Sequence, residues 1–256
     1  MGGTIAAAAL PWPAEDHLTV AHPAFGRTIA VVGCGGLGVP AAWTLAASGA
    51  HRLVLVDADR VELGNLHRQV LYGEGDVGAS KAERLAAALR RRFAGLAVEV
   101  RAARVDADNA QTVLRDCSAA IECTDDALCK FAINDWSIAA PDRTATIAAA
   151  IGRRGQWFTV RPAGPCYRCL FERPPAAEAL ATCSIAGVIG PVVGIVGSLA
   201  ARSLWRALTG QADAADGALV RWTPRGALRT PVPPADDCVC RGAAYSVRPV
   251  GGQMAD

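Results

Sequence analysis

The sequence predicts an α/β chain built on one mixed sheet, parallel in its N-terminal half and antiparallel in a C-terminal extension, with helices on both faces. Three observations carry that expectation. Runs of β-branched residues alternate with Ala/Leu/Arg-rich segments as far as residue 140, which is the rhythm of βαβ units and a parallel sheet. A glycine-rich turn joins the first such run to the first helical segment. Beyond "TATIAAAI" the alternation stops, and "GQWFTVRPAG" and "GALVRWTPRGALRTPV" read as antiparallel strands separated by turns.

In chain order, "RTIAVVG" gives the first strand and Leu37 to Ser48 the first helix. "RLVLVD" is followed by a helix from Ser80 to Phe93, and "AVEVRAA" by a short one from Asn109 to Arg115. "AAIEC" leads into a helix from Asp126 to Ala140, and "TATIAAAI" completes the parallel part. One long helix, roughly Pro191 to Leu208, lies between the antiparallel stretches, with proline suiting its first turn. No repeat or low-complexity linker divides the chain. Residues 1–256 therefore read as one domain, with about 1–26 and 243–256 as tails.

The bulk properties exclude several classes. A chain of 256 residues that is 52% hydrophobic can bury a large core. A net charge of +2 with scattered Lys and Arg gives no footprint for nucleic acid. The apolar stretch "SIAGVIGPVVGIVGSLAA" is nearly of membrane length, but Pro191 and several glycines interrupt it, so a buried helix is expected and no membrane partner. The N-terminal apolar run has no basic residue before it, and nine cysteines make an odd number for a disulfide framework. Both point to reduced thiols, some of them metal ligands, in the cytoplasm.

The turn "VVGCGGLG" places Gly33, Gly35, Gly36 and Gly38 where a backbone must approach a phosphate, at the positive end of the following helix. Asp57 and Asp59 follow the second strand, and Asp57 is placed to accept ribose hydroxyls. This Rossmann-like pattern fits a dinucleotide as well as ATP. The next stretch, "DADRVELGNLHRQVLYGEGDVGASKAERL", favours ATP. It puts Asn65, Arg68, Gln69 and Lys81 at the carboxyl edge of the sheet, and two cations with two amides suit a triphosphate. "IECTDD" ends the fourth strand at the same edge, where Asp125 can hold Mg²⁺ and Asp126 can cap the next helix.

"GCGGLG", "VDADRVELGNLHRQ", "VGASKAE", "ECTDD...IND", "GPCYRCL" and "TCSIAGVIGPVVGIVGSLAA" stand in the order found in the ThiF/MoeB/HesA adenylyltransferases, relatives of the ubiquitin-activating enzymes. The chain resembles that family over about residues 28–240. The resemblance implies that a ubiquitin-like sulfur-carrier protein ending in Gly-Gly presents its carboxylate to MgATP. A carrier acyl-adenylate and pyrophosphate result, and a separate sulfur donor protein then allows a thiocarboxylate to form. It further implies that Arg68, Lys81 and Asp125 are catalytic, that Cys183 is a candidate for covalent linkage to the carrier, and that the enzyme is a homodimer.

Cys166 and Cys169, in "PCYRC", have chelating spacing for one tetrahedral ion. In the resembling family a second C-x-x-C completes a structural zinc site. Here "DDCVC" leaves two readings open: Cys238 and Cys240 both bind through a strained turn, or Asp237 replaces one thiolate. Cys34, Cys117, Cys123 and Cys129 read as small buried residues. Two departures stand out. No Arg or Lys precedes Arg27, where the family carries an arginine that enters the partner's ATP site, leaving Arg153 and Arg154 as possible substitutes. The family's "CTDN" is "CTDD" here. A non-catalytic carrier-binding subunit and an NAD(P)-dependent oxidoreductase remain the competing expectations.

Overall fold

The structure, a computed structural model, describes residues 26–175, 187–211 and 217–241. One sheet of eight strands has the order β3-β2-β1-β4-β5-β6-β7-β8. Its parallel part is β1 (Thr28–Val32), β2 (Arg52–Val56), β3 (Ala97–Arg101), β4 (Ala119–Glu122) and β5 (Thr144–Ile151). β6 (Arg154–Val160), β7 (Ala218–Thr223) and β8 (Gly226–Pro231) continue it antiparallel. β1 and β4 are buried along their whole length. That is why their sequences are continuous apolar runs and do not alternate, as expected for parallel strands covered on both faces.

The helices are α1 (Gly38–Ala47), α2 (Lys81–Arg92), α3 (Ala110–Val113), α4 (Ala127–Ile138), α5 (Tyr167–Leu170) and α6 (Gly190–Leu208). Leu45 of α1, Leu85 of α2 and Leu204 of α6 share one core with Val31 and Leu55. On the opposite face, Leu114, Ile133 and Trp136 pack on Val32 and Val54. Helices thus cover both faces, as the sequence predicts. α3 is a single turn, shorter than the segment 109–115. Just before it, Asp106 accepts the amides of Asp108 and Asn109, and the Asn109 side chain accepts the Asp106 amide, local bonds that favour a turn over a helix.

Two glycines let α6 lie close to the sheet and to α1. A Cβ on Gly197 would stand 2.3 Å from the Leu37 carbonyl oxygen, and one on Gly155 of β6 would stand 2.2 Å from Val196. Within the long apolar stretch Gly190 and Gly197 are thus contact points, whereas a Cβ on Gly187 or Gly194 would meet nothing within 4 Å. Among the described residues no helix is long and apolar enough to cross a membrane. The proposed tails, apart from Gly26, and Cys183 lie outside the described residues.

Candidate active site and metal centre

The chain leaves β1 toward β2 and returns at β4 on the other side of β1, so the carboxyl ends of β1 and β4 flank a crevice of the kind in which open α/β sheets bind ligands. The glycine turn occupies it. Gly33 has φ +91 and a Cβ there would meet Cys123 and Thr124 backbone at 3.0 Å, while a Cβ on Gly38 would stand 1.7 Å from the Gly33 carbonyl oxygen. These two glycines close the turn on itself and on the loop after β4. Gly35 and Gly36 face the cleft. α1 begins with no side-chain cap and no acidic residue in its first turn, which leaves its positive end to an anion.

Asp57 fixes the turn. Its Oδ2 accepts the Cys34 amide at 2.6 Å and its Oδ1 the Asp59 amide at 2.7 Å, and each oxygen keeps a further lone pair for a hydroxyl. Burial raises the Asp57 carboxyl above its ordinary range, against the pull of those two amides and of Lys81. Tyr72 ties the turn to α2: its hydroxyl lies 2.7 Å from the Cys34 carbonyl and 3.0 Å from that of Lys81. Lys81, the first residue of α2, is almost buried and pairs with Asp59 at 3.2 Å. Arg104 reaches the other Asp59 oxygen at 2.8 Å.

Nine of the eleven predicted nucleotide ligands line one cleft of about 1610 Å³: Gly33, Gly35, Gly36, Asp57, Asp59, Arg68, Gln69, Lys81 and Asp125. The other two, Gly38 and Asn65, act behind it. Asn65 accepts from Arg68 at 2.7 Å and donates to Glu62 at 3.0 Å, which aims the guanidinium. Gln69 is 2% exposed, and among the described residues its buried Oε1 has no partner. Asp125 is exposed on the cleft wall, while Asp126 caps α4 by accepting the Leu128 amide at 2.8 Å. Arg154 lines the cleft and Arg153 is not among its lining residues.

Sequence reading missed the pair that shapes the Asp125 loop. Glu122, wholly buried at the end of β4, receives Lys130 at 2.5 Å, and Lys130 also donates to the carbonyls of Thr124 at 2.8 Å and Ala148 at 2.9 Å. The second Glu122 oxygen accepts the Thr124 amide at 2.7 Å and hydroxyl at 2.5 Å. Every polar atom of the pair is thus used. Burial raises the Glu122 carboxyl, with Lys130 opposing it; burial works against the Lys130 charge, but Glu122 outweighs it and holds the ammonium above its ordinary value. A signal was available in the sequence: an acidic residue ending an otherwise apolar central strand demands a partner.

In a core cluster separate from that of the glycine turn, Cys166, Cys169, Cys238 and Cys240 bring their sulfurs within 4.8 Å of one another. The separations are 3.5 Å for Cys166 to Cys238, 3.6 Å for Cys169 to Cys240 and 4.0 Å for Cys166 to Cys169. Four sulfurs about 2.3 Å from a tetrahedral zinc lie about 3.8 Å apart, so the cluster fits that ion. Of the two sequence readings, the geometry supports four thiols and leaves Asp237 outside the cluster. A 3-10 turn at Val239–Arg241 turns both thiols inward despite the short spacing. The other described cysteines, Cys34, Cys117, Cys123 and Cys129, are buried and free.

A family model described as the ThiF family matches residues 25–240. The chain belongs to the ThiF family. Among its relatives, "Adenylyltransferase and sulfurtransferase MOCS3" of Xenopus laevis is 38% identical over 194 residues, covering 75% of this chain and 43% of that protein. The "SAMP-activating enzyme E1" of Haloferax volcanii is 38% identical over 193 residues, covering 75% of this chain and 71% of that one. This ThiF-family chain thus spans about two fifths of the MOCS3 relative. E. coli MccB solved with ATP has a TM-score of 0.76 at 19% identity, over 85% of this chain and 68% of that one, a likeness of fold.

Proposed function

We propose that this ThiF-family chain adenylates the C-terminal carboxylate of a ubiquitin-like sulfur-carrier protein ending in Gly-Gly. The observation that carries this reading is the cleft itself, where the glycine turn, Arg68, Lys81 and Asp125 converge. An oxidoreductase would leave that set without a task. The relatives' names, adenylyltransferase and activating enzyme, support the same chemistry.

In this reading ATP lies with its phosphates over the glycine turn and its ribose beside Asp57. A carboxylate oxygen of the carrier attacks the α-phosphorus, the bond from that phosphorus to the bridging oxygen breaks, and pyrophosphate leaves with the electron pair. The attacking group is already ionised and no base is needed, so positioning and charge stabilisation supply the catalysis. Arg68 is pre-aimed by Asn65. Lys81 spends one of its three protons on Asp59 and keeps two for phosphate oxygens. Asp125 would hold magnesium, which would supply positive charge against the phosphates. Cys166, Cys169, Cys238 and Cys240 would hold a structural zinc. A separate sulfur donor, a role for Cys183, a homodimer and a cytoplasmic location complete the proposal.

Exchange of labelled pyrophosphate into ATP, with Mg²⁺ and candidate Gly-Gly-ended carriers, tests it. Exchange is expected, and Asp125→Ala should reduce it by about two orders of magnitude or more. Absence of exchange with every carrier, together with NAD(P)H binding, would overturn the reading.

A further inference from the structure

The cleft is larger than a nucleotide needs, since small-molecule sites typically occupy about 300–1,000 Å³, and its far end has a different character. Strand register defines that end. Ile151 pairs with Arg154 and Ala149 with Gln156 across β5 and β6, Gln156 pairs with Arg221 across β6 and β7, and Arg221 pairs with Leu228 across β7 and β8. Directly paired residues point to the same side of a sheet. Ala149, Ile151, Arg154, Gln156, Arg221 and Leu228 therefore form one floor, and all of them line the cleft, as does Arg225 in the β7–β8 turn.

On the opposite side of the sheet α6 packs against Gly155. Further along the floor's own side, Phe158 is buried in a cluster with Phe131 and Tyr167, so the floor ends there, and it is continuous with the nucleotide end of the cleft. Its charge is one-sided. Residues 143–175 and 217–233 contain a single acidic residue, Glu172, among many arginines. Arg154, Arg221 and Arg225 are exposed, and among the described residues no ion pair neutralises them. Like charges converging on one floor raise its potential and favour an anionic occupant. Ile151 and Leu228, 44% and 61% exposed, add aliphatic contact, and the floor's continuity with the end that holds Asp125 suits a peptide whose C-terminus reaches that end.

We propose that this floor reads acidic side chains in the carrier's C-terminal tail, a few residues upstream of the reacting carboxylate. The inference rests on the carrier-adenylation reading and adds the chemistry of the tail. β5 runs four residues from Ile147, the partner of Glu122, to Ile151 beside Arg154, about 13 Å at roughly 3.3 Å per residue. Arg221 stands two strands across from β5. An extended tail that places its carboxylate by Asp125 thus brings the residues about four to six positions upstream over the arginines.

Fluorescein-labelled synthetic peptides ending in Gly-Gly, carrying either Glu or Lys at those upstream positions, are titrated with the whole protein without ATP and followed by anisotropy. The acidic peptide is expected to bind roughly tenfold tighter or better, with the gap shrinking as salt rises. Arg154→Glu combined with Arg221→Glu should invert the preference, and because both sites are exposed its melting curve should match the parent's. Equal binding of the two peptides, no binding of either, a preference that survives charge reversal, or tighter binding of a single-stranded oligonucleotide would overturn the inference. Binding is read without turnover. An acidic preference with no pyrophosphate exchange would therefore count against adenylation while leaving the floor's chemistry standing.

Discussion

Lys130 shows how one buried side chain sets a loop. It neutralises Glu122 inside the protein and pins the backbone of Thr124, one residue before Asp125. Lys130→Met leaves a buried carboxylate without a counter-charge, and thermal or urea unfolding should register a loss of about 3–5 kcal/mol. Adding Glu122→Gln should return much of it, whereas additive losses would show that the two side chains are not coupled. Gly38 makes the complementary case. A Cβ 1.7 Å from the Gly33 carbonyl oxygen cannot be relieved by a side-chain rotation. Gly38→Ala should cost about 2 kcal/mol or more and weaken ATP binding, while Gly73→Ala, with nothing within 4 Å of the new Cβ, should leave the melting temperature close to the parent's. Matching effects at the two glycines would contradict this account of the turn.

At the level of elements, the thiol cluster joins the turn at Cys166–Cys169 to the segment after β8, two pieces of chain some seventy residues apart. Beyond β8 the described chain has only one 3-10 turn, Val239–Arg241. Much of the hold on this end of the chain therefore falls to the cluster. Metal analysis should find about one zinc per chain. Stripping it with a chelator, or Cys166→Ser, should lower the melting temperature and expose residues 232–241 to protease, with the parallel half unaffected. A metal-free protein with an unchanged melt would contradict the assignment. The same elements show which parts of the fold are local. β1, its glycine turn and α1 are contiguous, and the sequence reads them correctly. The segment 109–115 reads as a longer helix than α3 because the local bonds of Asp106 and Asn109, which compete with helix, leave no mark on its pattern.

For the whole molecule, the candidate site divides in the same way. The end of the cleft that holds the glycine turn is legible because its lining residues fall in short motifs that follow β1, β2 and β4. The Glu122–Lys130 pair is half-legible, since a charge ending a buried strand predicts that a partner exists but not which residue provides it. The arginine floor was not legible as a site. Arg154, Arg221 and Leu228 meet only through register across three strand pairings, and no spacing along the chain records that. The four-thiol geometry was open for a related reason: Cys238 and Cys240 reach one centre through a tight turn that their spacing does not announce.

The central claim is transfer of AMP to a carrier carboxylate, and the fate of that carboxylate's oxygen tests it most directly. A Gly-Gly-ended carrier whose terminal carboxylate is labelled with heavy oxygen is incubated with the protein, MgATP and a sulfide source, and the products are analysed by mass spectrometry. The account predicts AMP carrying one labelled oxygen and unlabelled pyrophosphate. Label appearing in inorganic phosphate alongside ADP would mean that the carboxylate attacks the γ-phosphorus, and would contradict it.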